Sequence, residues 1–584
     1  MIQKSATAAA RRPIPLIAIV LLALAVHGPL LLLQLPANSY DANTHLFFAS
    51  HYAKSWFNPW NEKWFGGFSQ TTYPPLTHQL VALFSHITGL TMAYMVVQLL
   101  FVLILTAGVF RYACLWVDER QASYAAMASV FLGSLALLVY QSGQLPTTAA
   151  AALTLNALPF FYNWNRSGRF ADLVKGVILS LAAAAAHHVT FLFGAVLFAL
   201  PVFWLSMIDR KREADASAGG IASRALIFAA LNAFGSLVVL LPYFIGLKHN
   251  PIAEMPIPHP SRDNYILVGH SGANFWLIPM GALLLAIPYI LIKGSAERRL
   301  RPLLFGWYLT TLLGLGGTTP VGKWLLGRAF YILTYERFTF WAGLMALPFV
   351  GLMADWLLER YQRKALIGLW IAAVASCGIA VGWVNFSPIN SGVFDLNPIV
   401  SFLNRDDHSK FRYITLGFGN QFARLSRLTN ADSIDGDYNA ARLLPEMTAY
   451  GAAQLHASKY FGTPGMEALR AVLKHASQYG LRYIFVRDRY YEPLLAFAGW
   501  RQAETYDDGL VTLWTKDDVP PARKLDFGGW VPPGWQCVLW GVLPISMGVL
   551  SFAILLFSPD RRRLQPALEF PAVAPAEVAL REAK

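Results

Sequence analysis

Apolar runs recur along this chain near 14–35, 91–115, 122–141, 147–163, 173–188, 189–208, 223–245, 274–292, 302–317, 338–357, 365–384 and 537–557. A helix of about 20 apolar residues crosses the roughly 30 Å hydrocarbon layer of a bilayer. The pattern therefore predicts about twelve transmembrane helices. Residues 75–89 are apolar but too short to cross, and predict an interfacial or partly penetrating helix. Between 385 and 535 the long runs stop. Arg412–Leu416, Leu481–Val486 and 510–514 read there as short strands, and 466–478 as a helix ended near Gly480. The fold class expected is an α-helical polytopic membrane protein with a small extracytoplasmic α/β domain. Its predicted parts are a helical membrane domain with outer catalytic loops over 1–384, the α/β domain over 385–535, a last span over 536–558 and a disordered cytoplasmic tail over 559–584.

Charge orients this pattern. Arg166 and Arg169, Arg210-Lys211-Arg212, Arg298, Arg299 and Arg301, Arg360, Arg363 and Lys364, and Arg561-Arg562-Arg563 all fall on one side of the predicted helices. The positive-inside rule makes that side cytoplasmic, with both termini, and makes the α/β domain extracytoplasmic. The bulk composition agrees with a membrane protein: 55% of residues are hydrophobic and 14% charged, against roughly 25% charged in soluble domains. A formal net charge of +13 would suit nucleic acid, but the basic residues sit at helix ends, so no nucleic-acid partner is expected. Cys114, Cys377 and Cys537 lie in or beside apolar runs and indicate neither a disulfide framework nor a zinc site. The run after Arg11 and Arg12 is too long for a signal-peptide core and reads as an uncleaved first helix.

Ionisable residues are nearly absent at mid-depth, where they would mark an ion path. His27 is the main exception and reads as a histidine hydrogen-bonded between helices. Polar residues gather instead at the outer helix ends: Asp41 and His45, Gln141 and Gln144, His187 and His188, Glu254, Arg262, His270, Lys323, Arg328, Glu336 and Arg337. Asp41 reads in three ways: general base toward an acceptor hydroxyl, ligand to a divalent metal, or N-cap of a helix beginning near Asn43. The aromatic stretch from Leu46 to Trp64 is expected to roof it as an ordered loop. Arg337, Lys323 and Arg328 suit a lipid phosphate, since guanidinium and ammonium groups bind phosphate oxygens, or else snorkel to the headgroups. Glu336 could pair with a neighbouring charge. His187 and His188 point about 100° apart on a helix, which suits one hydrogen bond to a phosphate or sugar better than a shared metal. Asp432, Asp435, Gly436, Asp437 and Tyr438 form an acidic turn without EF-hand spacing. Most such turns are surface loops, and contact with sugar or acceptor is the functional alternative.

Taken in order, Asp41, Tyr73-Pro74-Pro75-Leu76, Gly143-Gln144-Leu145-Pro146 and Glu336-Arg337-Phe338, with a domain before the last span, carry a resemblance. The chain resembles the C-type (GT-C) superfamily of integral-membrane glycosyltransferases and, within it, bacterial membrane proteins labelled 6-pyruvoyl-tetrahydropterin synthase-related. The resemblance implies transfer of a sugar from a polyprenyl-phosphate donor to a glycan, lipid or protein acceptor, on the outer face of a bacterial cytoplasmic membrane. It places Asp41 at the catalytic acidic position and the basic residues from Lys323 to Arg337 in the donor-phosphate region; His45, Gln144, His187, His188, Arg328 and Glu336, gathered at the same helix ends, are the further candidates for binding substrate. Tyr140-Gln141-Ser142-Gly143-Gln144-Leu145-Pro146-Thr147 lacks the second acidic residue that many GT-C enzymes carry. That departure argues against a metal bridge and for a metal-independent, Asp41-centred reaction; a divalent metal is the one cofactor in question. The zinc–histidine cluster of the soluble pterin synthase has no counterpart in the sequence. Two other readings are a non-catalytic membrane scaffold and a carrier or flippase for lipid-linked glycans.

Overall fold

The computed structural model describes residues 12–558 apart from 211–216, 251–255, 257, 391 and 439–440. The 559–584 tail with its arginines, Arg11, Lys211, Arg212 and Glu254 lie outside the described residues. Long helices dominate. Among the described residues, 7 are long and apolar enough to cross a membrane: Leu90–Ala113, Glu119–Ser142, His188–Asp209, Ala218–Val239, Gly269–Ala296, Glu336–Phe386 and Gly534–Phe557. Helix α1, Leu16–Leu32, is apolar but shorter. Other predicted spans are also helices, but Leu145–Ser167 carries threonines and asparagines, and Phe170–Ala186 and Arg301–Gly314 have only 17 and 14 residues. The chain is a multi-pass membrane protein.

The 51-residue stretch Glu336–Phe386 is two helices back to back. Gln362 breaks it with φ 45° and ψ −119°, a conformation that no helix contains. Both ends of the stretch lie at one end of the bundle. Glu336 accepts a hydrogen bond from the Gln144 amide, while the carbonyl of Ser387 accepts one from Gln141. At the far end, Arg120 pairs with Asp355 and Glu359. There too, Arg299 binds Asp209 and the carbonyls of Leu115 and Trp116. Part of the basic inventory that the charge pattern assigns to membrane orientation therefore ties helix ends together.

Helix α2, Ala42–Lys54, follows α1 through a 3-10 turn at Leu35–Asn38. A two-residue hairpin, β1 (Trp60–Asn61) against β2 (Phe68–Ser69), leads to α3, Leu76–Thr88. At 13 residues α3 matches the expected short helix, and α4, Leu90–Ala113, follows it directly. The α/β domain holds a sheet in the order β3-β4-β6-β5, where β3 is Arg412–Leu416, β4 Leu481–Val486, β5 Arg501–Tyr506 and β6 Val511–Thr515. Strands β3 and β4 are parallel across a helical crossover that includes Gly462–Lys474, and the other pairs are antiparallel.

The expected aromatic loop is not a free roof. Phe47 and Phe48 of α2 and Trp64, Phe65 and Phe68 of the hairpin are buried in one apolar cluster with Phe418, Phe422 and Ile434 of the α/β domain. Phe47 stacks on Trp64 at 3.7 Å between centroids, an arrangement that adds about 0.5–1.5 kcal/mol beyond area burial. The Trp64 indole N–H donates to Ser426 Oγ at 2.9 Å, so its one polar atom is satisfied inside the joint. The segment is a hinge-pin between membrane helices and domain, and it seats α2 in a fixed place.

Candidate functional site

Asp41 is held by its backbone. The Tyr40 and Asp41 amides donate to the carbonyls of Gln141 and Ser142 at 3.0 and 2.9 Å. Gly143 makes this close approach possible. Its φ is +69°, and a Cβ there would sit 2.1 Å from Ser39 Oγ and 3.0 Å from the Ala42 nitrogen. From the domain side, the Asn420 amide donates to the carbonyls of Asn38 and Ser39. Asp41 occupies the N-cap position of α2, yet its side chain makes no capping hydrogen bond. Among the described residues the half-buried carboxylate has no hydrogen-bond partner at all. The capping reading therefore fails, and the group is left for other work.

Arg337, at the mouth of Glu336–Phe386, is the charge around which the site is arranged. Its Nε donates to Gln144 Oε1 at 2.9 Å, which Thr147 also donates to at 3.1 Å. The Gln144 amide in turn donates to Glu336 Oε1 at 2.6 Å, and Thr334 donates to the same oxygen. The guanidinium's field reaches Asp41, His45, Tyr73, His187 and His188. Its terminal nitrogens have no hydrogen-bond partner among the described residues, which leaves a planar pair of donors for an oxyanion.

Aromatic and imidazole rings line the other side. His45 Nδ1 and His78 Nε2 lie 3.0 Å apart and share a hydrogen. Tyr73 touches His45, His78, His187 and His188, with centroids 5.4–6.5 Å away. His187 and His188 are inclined by 57° and bind different partners, Thr190 and Tyr243. Burial first, and then Arg337, lowers the His45 pKa to about 3, so its ring is neutral at physiological pH. Three buried polar atoms here lack partners: Asn43 Nδ2, His188 Nδ1 and Glu336 Oε2. Orphans of this kind are costly unless a ligand or water satisfies them.

Burial raises the Asp41 pKa to about 7, with Glu336 and Asp437 adding to the rise and Arg337 opposing it. A carboxylate poised near neutrality can take a proton from a hydroxyl and release it again. Glu336 and Asp437 are each tied by hydrogen bonds, and among the described residues no group of three or more His, Cys, Asp or Glu converges as cation ligands. Among the described residues, the side chains at this site fit a hydroxyl and an oxyanion better than a bound cation.

Asp41, His45, Gln144, His187, His188, Glu336 and Arg337 come together here. Lys323 and Arg328 are exposed, and make no hydrogen bond or ion pair to this group among the described residues; Lys323 lies over the Phe330 ring. His78 and Thr44 were not expected, and Asp437 was singled out only as part of an acidic turn. His78 had a signal, since Thr77-His78-Gln79 is a polar triplet inside an apolar helix. Two grooves of about 470 and 610 Å³ lie toward the other end of the bundle, lined by residues such as Leu16 and Lys175 and by Leu358 and Trp370.

No protein-family profile matches the sequence, and no curated protein matches it. Solved structures do match in fold. ArnT from Cupriavidus metallidurans bound to undecaprenyl phosphate aligns with TM-score 0.54 at 11% identity, over 86% of this chain and 99% of that one. The oligosaccharyltransferase AglB from Archaeoglobus fulgidus, in complex with an inhibitory peptide and a dolichol-phosphate, aligns with TM-score 0.52 at 12% identity, over 83% and 70%. The arabinofuranosyltransferase AftD from Mycobacteria aligns with TM-score 0.53 at 15% identity, over 88% of this chain and 40% of that one. The chain has the fold of the GT-C membrane glycosyltransferases.

Proposed function

We propose that the protein is a membrane glycosyltransferase that moves a sugar from a polyprenyl-phosphate donor to an envelope acceptor on the extracytoplasmic face of a bacterial cytoplasmic membrane. The observation that carries this reading is the uncapped Asp41 carboxylate, without a hydrogen-bond partner among the described residues, within electrostatic reach of Arg337 at a helix mouth. Asp41 takes the proton of an acceptor hydroxyl as its oxygen attacks the anomeric carbon. The bond from that carbon to the phosphate oxygen breaks, and polyprenyl phosphate leaves with its charge on Arg337. Neutral His45 and Tyr73, with the orphaned Asn43, His188 and Glu336 atoms, hydrogen-bond the sugar hydroxyls. In this reading 385–535 is the extracytoplasmic domain, both termini are cytoplasmic, and Lys323 and Arg328 meet the lipid headgroups.

The test compares polyprenyl-linked sugars and envelope glycans, by mass spectrometry, in a deletion strain carrying wild type, Asp41→Asn or Arg337→Ala. Each variant is expected to cut transfer by about 10²-fold or more at normal protein level. Full restoration by both variants would refute the reading, because a scaffold or a carrier needs neither group.

A further inference from the structure

The acidic turn of the α/β domain does not face solvent. Asp437 Oδ2 accepts a hydrogen bond from Thr44 Oγ1 at 2.7 Å, and Oδ1 accepts one from the Gln454 amide at 3.0 Å. Thr44 stands three residues after Asp41 at the start of α2, so the two lie on one helix face. Behind Asp437, His456 places Nε2 3.7 Å from Oδ1. The other ring nitrogen of His456 is 2.9 Å from Asp435, whose carboxylate also accepts the amides of Leu455 and His456. Asp435 is wholly buried and His456 is 4% exposed. The turn is pressed against the hairpin so closely that a Cβ on Gly436 would lie 2.3 Å from the Phe65 ring.

A buried acid–imidazole–acid chain that ends on the helix carrying the reactive carboxylate is an expensive feature for a mere surface loop. Its charges interlock. Burial lowers the His456 pKa, but the hydrogen bond and charge of Asp435, with the charge of Asp437, raise it overall. Burial raises the Asp437 pKa, while His456 and the Thr44 hydrogen bond favour its charged form, and that charge is felt at Asp41. Arg337 and Glu336, from the mouth of the long helical hairpin, also act on Asp41, and the phenols of Tyr40, Tyr73 and Tyr94 lie within its field.

We propose that Asp437 is a positioning carboxylate contributed by the α/β domain, holding α2 through Thr44 and setting the basicity of Asp41. The inference rests on the transferase reading for its purpose, but the coupling it asserts is measured without turnover. The intact protein in nanodiscs is treated with a hydrophobic carbodiimide, which modifies protonated carboxyls, from pH 5 to 9. Modification at Asp41 is then read by peptide mass spectrometry.

In wild type, labelling of Asp41 falls as pH rises through about 7. In Asp437→Asn the midpoint moves to lower pH by roughly half a unit or more, as expected when a nearby like charge is removed. Asp437→Glu keeps it, and Thr44→Val, which cuts the tie while preserving shape, broadens or shifts it. Monodisperse elution of each variant controls for folding. An unmoved midpoint in both Asp437→Asn and Thr44→Val would overturn the proposal. If the midpoint shifts yet Asp41→Asn retains transfer, the coupling stands and the transferase reading falls.

Discussion

An aspartate that opens a helix ordinarily accepts the free amides of the first turn, a contact that contributes about 1 kcal/mol. Asp41 forgoes it and sits where its charge is disfavoured. The sign of the consequence follows from linkage. The folded-state pKa of about 7 lies above the ordinary carboxyl value of 3.8, so below pH 4 the group is protonated in both states and nothing is lost. Between pH 4 and 7 the unfolded chain ionises while the fold holds its proton, and stability declines to a plateau above pH 7. Asp41→Asn escapes that loss. Its thermal stability should match wild type near pH 4 and exceed it by on the order of 1–2 kcal/mol at pH 8, while transfer collapses. Transfer by wild type should itself rise as pH increases through about 7, since the base form is required. Scanning calorimetry and a pH–rate profile check the two halves. Asp41 was visible in the sequence as a lone acid after the first apolar run. What could not be read was which of its three roles held, because that depends on whether the first-turn amides find the side chain. Asp437 was visible as part of an acidic turn, but its partner Thr44 is 393 positions away, and no local pattern encodes that contact.

At the scale of elements, apolar periodicity predicted helices where helices are found, seven of them among the described residues long and apolar enough to cross a membrane against the twelve expected. The β-branched and aromatic runs predicted β3, β4 and β6. Strand β5 went unseen because its residues, Arg501–Tyr506, are polar and mostly exposed, so no alternation marks them. It is an edge strand paired only with β6, and a charged edge resists further pairing. The aromatic segment after α2 was legible as ordered, whereas its burial in the core of a domain hundreds of residues later was not. That burial makes Trp64 the test of the joint. Trp64→Ala should cost about 3–5 kcal/mol and leave the α/β domain open to limited proteolysis. Gly143 belongs to this scale too, since it lets one turn lie on another. Gly143→Ala should cost about 2–4 kcal/mol, and should lower transfer further than stability alone explains, because Asp41 moves with the Ser39–Ala42 backbone. Thermal unfolding measured beside activity separates the two effects.

Across the whole molecule, the polar site lies at the end of the helix bundle that carries the α/β domain, and the interlocked ion pairs Arg120–Asp355 and Arg299–Asp209 lie at the other. Charge bias predicts which end faces the cytoplasm. A cysteine at Phe497, which is 87% exposed in the domain, should react with a membrane-impermeant maleimide in intact spheroplasts. One at Lys364, beside the Gln362 break, should react only after permeabilisation. The reverse pattern would invert the topology and with it the side on which transfer takes place.

The joint also sets a timetable for making the protein. Trp64 and Ser426, which it binds, are 362 positions apart. At a synthesis rate of about 5–20 residues per second, the aromatic hairpin waits roughly 20–70 s for its partner to emerge. For that interval five large rings with nowhere to be buried are presented to whatever surrounds the nascent chain. The bilayer surface can shelter them, and so can a chaperone. A ribosome that stalls before residue 426 would leave a product lacking its last membrane helix, Gly534–Phe557, and with its most adhesive surface uncovered.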